Sequence, residues 1–272
     1  MLLQLQKYII WRDDIYIVLH EFDENKKAII NPWNIQSKID GFPKIAVSCF
    51  SKTTFTRIIK ELNATQIAQM SGTNGKNIIY KVNYENIDIA LYMSTVGAPC
   101  CIGEIEDIFQ MGCEKIILFG TCGVLDASIE DCSIIIPNSA IRDEGTSYHY
   151  APPSDEIKVN TKYMDEFIEI LDSHKLKYTI GKVWTTDAMY RETKDKVRRR
   201  KEQGCICVDM ECSAVGAIAS FREKEVFHFF YAADNLDSEE WNQRSLSNDE
   251  KLIEKDKIAT IAMEMAVKIA TK

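Results

Sequence analysis

The chain has 272 residues, 46% of them hydrophobic and 27% charged, with a formal net charge of -8 and a pI near 5.2. That length suffices for one large α/β domain with a sizeable core, and the balance is that of a soluble globular protein rather than a disordered one. The acidic excess argues against a binder of nucleic-acid backbone, which needs clustered Lys and Arg; the basic run Lys194–Lys201 is flanked by acids and fits a solvated helix face.

Residues 1–43 carry the alternating stretches Tyr8–Trp11 and Ile15–Leu19, then a polar turn before Ala28–Ile30, and predict a β extension, a strand or hairpin appended to the main fold. Gly41 to Pro43 break the pattern, and residues 44–272 form the main domain. Its first core strand is Lys44–Ser48, followed by a helix over Thr54–Leu62. Asn77–Val82 and Ile87–Met93 predict a hairpin. Ile102, Ile105, Ile108 and Phe109 recur at helical spacing up to Gly112, and the short apolar run Lys115–Phe119 predicts a mid-sheet strand entering Gly120-Thr-Cys-Gly123. Ser133–Pro137 is another buried strand, after which Arg142–Tyr150 forms a polar, aromatic loop. Lys162–Leu176 is amphipathic, Tyr178–Trp184 a strand, and Thr185–Arg191 a turn. A charged helix, the strand from Cys205, a small-residue helix over Ser213–Phe221, the strand Glu225–Tyr231 and a last helix from about Asp249 to Thr271 complete an α/β alternation in a single domain.

Nine cysteines, an odd number with several inside apolar runs, indicate buried free thiols in a reducing compartment. No C-x₂-C pair occurs and the four histidines are scattered, so no structural metal is expected. The start Met1–Lys7 is too short and polar for a signal peptide, and no segment approaches 18 apolar residues; a cytoplasmic location follows as the expectation.

The stretch from Cys205 to Ala214 organises the chemistry. Its apolar run places Met210 and Glu211 at the carboxyl end of a strand, where open α/β sheets bind ligands, so that Glu211 reads as a clamp for hydroxyl groups. The alternative is a corner in which Glu211 caps the next helix. Thr121, the turn from Thr185 to Tyr190, and Asp234 stand at three further strand ends. Singly, Gly120–Gly123 is a tight turn and Asp234 an N-cap; together they suggest one shared site.

These residues resemble the nucleoside phosphorylase superfamily, which includes purine nucleoside phosphorylase, uridine phosphorylase and methylthioadenosine/adenosylhomocysteine nucleosidase. The resemblance covers roughly residues 44–270 and rests on Val208-Asp-Met-Glu-Cys-Ser-Ala214, similar to the family's ribose-binding segment. Gly120-Thr-Cys-Gly-Val124 stands in the place of the phosphate turn, Thr186-Asp-Ala-Met-Tyr190 in that of the base-stacking segment, and Asp234 where purine-cleaving members keep an aspartate. The resemblance implies a phosphorylase/hydrolase-like fold, a central mixed twisted sheet flanked by helices. It further implies a pentosyltransferase of nucleoside metabolism, cleaving a purine nucleoside to free base and ribose 1-phosphate. Asp234 is then the catalytic acid at N7, Glu211 and Met210 hold the ribose, and Met189 and Tyr190 pack on the base. Gly120, Thr121, Ser94 and Thr95 form the region of phosphate or nucleophile, and Arg142, His149 and Asp187 are further candidates. No cofactor is implied beyond phosphate as co-substrate, no nucleic-acid or membrane partner, and a homodimer or hexamer is expected.

The sequence departs from the family at the phosphate site. Neither of the arginines that hold phosphate in phosphorolytic members is present: the loop after the first strand reads Cys49-Phe-Ser-Lys-Thr-Thr54, and Leu118 takes the second position. Lys52, Arg142 or a neighbouring subunit are the candidates for replacing that charge. Nucleosidases of the superfamily use water with a glutamate as base, for which Glu144 or Glu104 are candidates here. Hydrolysis, uridine phosphorolysis and a non-catalytic nucleoside-binding module therefore stand as alternatives.

Overall fold

The computed structural model describes residues 17–72, 75–246 and 249–272. In chain order its strands are β1 (Ile45–Cys49), β2 (Thr65–Gly72), β3 (Gly75–Tyr84), β4 (Ile87–Met93), β5 (Lys115–Val124), β6 (Ile134–Asp143), β7 (Glu156–Lys158), β8 (Tyr178–Thr186), β9 (Cys205–Asp209) and β10 (Glu225–Asn235). The longer helices are α1 (Lys52–Glu61), α2 (Ala98–Met111), α3 (Met164–Ser173), α4 (Lys194–Glu202), α5 (Cys212–Arg222) and α6 (Leu252–Ala270).

All residues of β1 are buried, as a strand covered on both faces requires, and it lies parallel between β4 and β5. One side of the sheet packs on α3 and α6 through Phe167, Leu171, Ile258 and Met265 against Phe227 and Phe229. The other packs on α2 and α5 through Ile102, Ile105, Val215 and Ile218 against Ile116 and Leu118. The β2-β3-β4 meander extends the sheet at one end.

At the other end β5 takes two partners besides β1. It runs parallel to β10, and its last residues Gly123 and Val124 pair antiparallel with Val208 and Cys207 of β9. Because β10 also pairs with β6, β6 with β8 and β8 with β9, these five strands close a circuit, and the short β7 is added to β6 outside it. Gly123 then has Val208 on one side and Asp234 on the other. A register shift between Ala232 and Asp234 re-aims the aspartate.

Several expectations are corrected. Gly120–Gly123 is not a turn but the continuation of β5. Its glycines serve close approach: a Cβ on Gly120 would lie 2.8 Å from the Phe50 ring, and one on Gly123 2.4 Å from Leu236. Pro137 does not end its strand, because β6 bulges between Pro137 and Ser139 and continues to Asp143. β2 has no counterpart in the sequence reading, since as an edge strand it buries only Met70 and lacks an apolar pattern. Tyr8–Trp11 lies outside the described residues; among the described ones, residues 17–43 form no strand. Val18–His20 is a single 3₁₀ turn, and Pro32–Ile35 one helical turn in which the Asn31 and Asn34 side chains satisfy each other's backbone. Ile29 and Ile30 are exposed rather than paired in a sheet.

Candidate active site

A cavity of about 1380 Å³ opens where β5, β9 and β10 end, bounded by the Met189–Arg191 turn and by α4. Thr121, Met210, Glu211, Asp234, Met189 and Tyr190 all line it. The circuit explains the convergence of residues far apart in sequence: Thr121 and Gly123 end β5, Glu211 follows β9 by two residues, and Asp234 flanks Gly123 from β10.

Glu211 is buried and held from two sides. Its Oε1 accepts the backbone N–H of Gly97 at 2.5 Å, and its own N–H donates to Asp209 Oδ2 at 2.8 Å. Gly97 adopts φ +102, a conformation open to glycine, as it starts α2. Asp209 also accepts from Cys212 N at 2.7 Å and from Thr185 Oγ1 at 2.7 Å, and Thr185 Oγ1 in turn accepts from Ser213 N at 3.1 Å. Glu211 stands at the N-cap position without a side-chain cap bond, Asp209 takes up the first N–H groups in its place, and Glu211 keeps one carboxyl oxygen for a ligand. Burial pushes Glu211 above the usual carboxylate range and the adjacent Asp209 charge adds to the rise. Hydroxyl donors, or a cationic sugar, oppose that rise by stabilising the ionised form.

Asp234 is half-buried, and burial raises its carboxyl above the ordinary value although Trp241 Nε1 donates to Oδ2 at 2.8 Å. Met189 is 49% exposed and Tyr190 93%, so both stand at the mouth rather than inside.

The remaining candidates lie elsewhere. Ser94 is buried and bonded to Ser48 through their hydroxyls at 2.7 Å, while Thr95 is tied through N and Oγ1 to Glu104. Gly120 is covered by Phe50. Arg142 does not face the cavity: its guanidinium donates to Ser147 Oγ, Ser154 Oγ and the carbonyls of Pro152 and Ala151, so it clamps its own loop. Glu144 accepts from Ser147 N and Ser213 Oγ, and Glu104 from Thr95 and Asn77, which commits both to structure. His149 is exposed on a 3₁₀ turn, and Asp187 accepts from Gly145 N. Leu118 is fully buried and Lys52 exposed at the start of α1.

Phe50, which packs against Gly120, and Val96 add apolar surface to the lining. The cations that line the cavity, Lys194, Arg198 and Lys201, all come from α4 and pair with Glu239, Glu202 and Asp237. Two lining residues escaped the sequence reading. Trp241, seven residues past Asp234, gave no signal; Glu192, directly after the aromatic turn, was visible only as an isolated charge.

The sequence model of the phosphorylase superfamily matches residues 44–270. The chain belongs to that superfamily. Similar members include a guanosine phosphorylase of Halorubrum lacusprofundi, 23% identical, with 70% of this chain and 78% of that protein covered. A purine nucleoside phosphorylase DeoD-type 1 of Shewanella oneidensis is 23% identical, with 79% and 87% covered. Among solved structures, the crystal structure of uridine phosphorylase from Vibrio fischeri ES114 matches with a TM-score of 0.73 at 20% identity, covering 89% of this chain and 99% of that one. For a phosphorylase-superfamily fold, the single-domain mixed sheet flanked by helices is thus established, and no helix among the described residues is long and apolar enough to cross a membrane.

Proposed function

We propose that this chain cleaves the N-ribosidic bond of a purine nucleoside, releasing the base and, with phosphate as nucleophile, ribose 1-phosphate. What carries the reading is that Glu211 and Asp234, 23 residues apart in sequence, line one cavity at the ends of β9 and β10, which both pair with the end of β5. Cleavage leaves an oxocarbenium-like sugar and an electron-rich base, so stabilisation is needed at both ends of the breaking bond. Asp234, whose carboxyl burial raises above its ordinary value, acts as the general acid towards N7 as electrons move into the base, an effect typically of about 10²- to 10⁴-fold. Glu211 accepts the 2′- and 3′-hydroxyls, and its negative charge attracts the sugar more strongly once positive charge develops there. Met210 packs on the sugar, and Met189 and Tyr190 cover the base.

A second reading, hydrolysis by water, is favoured by apolar Phe50 and Val96 in the cavity lining and by the engagement of Arg142 in its own loop. The experiment is an incubation of adenosine, inosine and uridine with and without phosphate, identifying the sugar product. Phosphate-dependent ribose 1-phosphate supports phosphorolysis; equal rates yielding free ribose establish hydrolysis instead. Tight nucleoside binding without either product would leave only the non-catalytic module. Exposed Met189, Tyr190, Val96 and Trp241 at the mouth support a site covered by a second copy in a homo-oligomer, to be checked by light scattering.

A further inference from the structure

Glu192 lines the same cavity as Asp234, and its half-buried carboxyl has no hydrogen-bond or ion-pair partner among the described residues. The nearby Lys196 ammonium is engaged by Asp143 at 3.1 Å. An unpaired, half-buried carboxyl in a cavity, close enough to Asp234 to feel its charge, is free to take a ligand's donor. We propose that Glu192 and Asp234 together read the base, and that they select 6-aminopurine nucleosides over 6-oxopurine ones. The inference rests on nucleoside binding at this site and adds which base it takes.

Two neighbouring carboxyls in a partly dry cavity avoid carrying two charges, and burial with the Asp234 charge pushes Glu192 up to about 7. With one proton between them the pair presents one donor and one acceptor. The outer edge of an adenine-type base offers the complement, N7 as acceptor beside the 6-amino group as donor, whereas a 6-oxopurine offers two acceptors. The carboxyl of the pair that carries the shared proton donates to N7, beside the Asp234 oxygen already engaged by Trp241; the ionised one accepts from the 6-amino group and faces the oxo group of the competitor with an unpaired lone pair.

The test compares kcat/KM for adenosine and inosine in the wild type, Glu192→Gln and Glu192→Ala, each checked for a native unfolding transition. The wild type should favour adenosine by about 10-fold or more, the size of one charge-assisted hydrogen bond. Glu192→Gln, whose amide both donates and accepts, and Glu192→Ala, which does neither, should each bring the ratio near unity. A wild-type preference for inosine, or a ratio unmoved by both variants, overturns the proposal. Absence of cleavage would refute the catalytic reading alone; calorimetry with free adenine and hypoxanthine then decides, tighter adenine binding supporting the pair, and equal, reversed or undetectable binding refuting it.

Discussion

His228 offers a quantitative test of the core beneath the site. It sits in β10, 1% exposed, with neither ring nitrogen hydrogen-bonded among the described residues and the ring 4.3 Å from that of Phe230. Its backbone is fixed independently: Asn160 Oδ1 accepts from His228 N at 2.9 Å and Asn160 Nδ2 donates to His228 O at 2.7 Å. A neutral imidazole so placed leaves one donor and one acceptor unsatisfied, a cost of about 1–3 kcal/mol. Burial also lowers its pKa from 6.5 to about 3. Below 6.5 the unfolded chain takes up a proton that the folded chain refuses, so this contribution is intact above that pH and lost as pH falls towards 3. At roughly 1.4 kcal/mol per pH unit, about 2 kcal/mol is gone by pH 5 and roughly 5 at the acid limit. His228→Leu should therefore raise stability near pH 7 by about 1 kcal/mol and flatten its decline in acid. Urea unfolding of both proteins at pH 7.5, 6 and 5 reads the difference directly. Parallel stability curves would refute the reasoning, because the carboxylates common to both proteins cancel in the comparison.

Glu211→Gln keeps an oxygen for Gly97 but removes the charge that ribose and oxocarbenium require; kcat/KM should fall about 10- to 100-fold, with unfolding by urea displaced by less than about 1 kcal/mol. Asp234→Asn should cost about 10²-fold or more in kcat. In the wild type, kcat/KM should decline as pH rises past about 7, where the proton shared with Glu192 is lost, with Lys196 and Arg244 the cations that oppose the rise; the variant should lack that limb. Arg142→Ala should destabilise by about 2–4 kcal/mol through the buried loop it clamps, while KM for phosphate stays unchanged in a phosphate titration.

Legibility followed the strength of the local pattern. β1, β9 and the core of β5 are apolar and buried, so their sequences announce them, and with them the place of Met210 and Glu211. β2 and β7 pair at edges and carry mostly exposed residues, leaving no such signature. The Gly120–Gly123 segment misled because glycine permits both a turn and a tight approach, and only Phe50 and Leu236, brought in by tertiary packing, distinguish them. For the same reason Arg142 looked available: a lone arginine in a polar loop does not reveal that Ser147, Ala151, Pro152 and Ser154 absorb its donors. Glu192 became meaningful only once the circuit of strands set it in the same cavity as Asp234.

The balance of charge in that cavity ties the choice of nucleophile to assembly. Glu211, Asp234 and Glu192 contribute acid groups, Phe50 and Val96 contribute none, and the three lysines and arginines of α4 are already paired with carboxylates. A phosphate dianion entering beside Thr121 therefore meets no unpaired cation among the described residues that line the site, and the cost of stripping its water favours water as the attacking group. Phosphorolysis becomes competitive only if a second copy brings basic side chains to the exposed mouth at Met189, Tyr190 and Trp241. If copies associate over that mouth and phosphorolysis depends on it, diluting the protein through the dissociation range should shift the product from ribose 1-phosphate towards ribose, with phosphate held constant. Product ratios measured by chromatography beside light scattering at each concentration test this. A ratio that stays fixed while the assembly dissociates would place the phosphate-binding charge within the single chain.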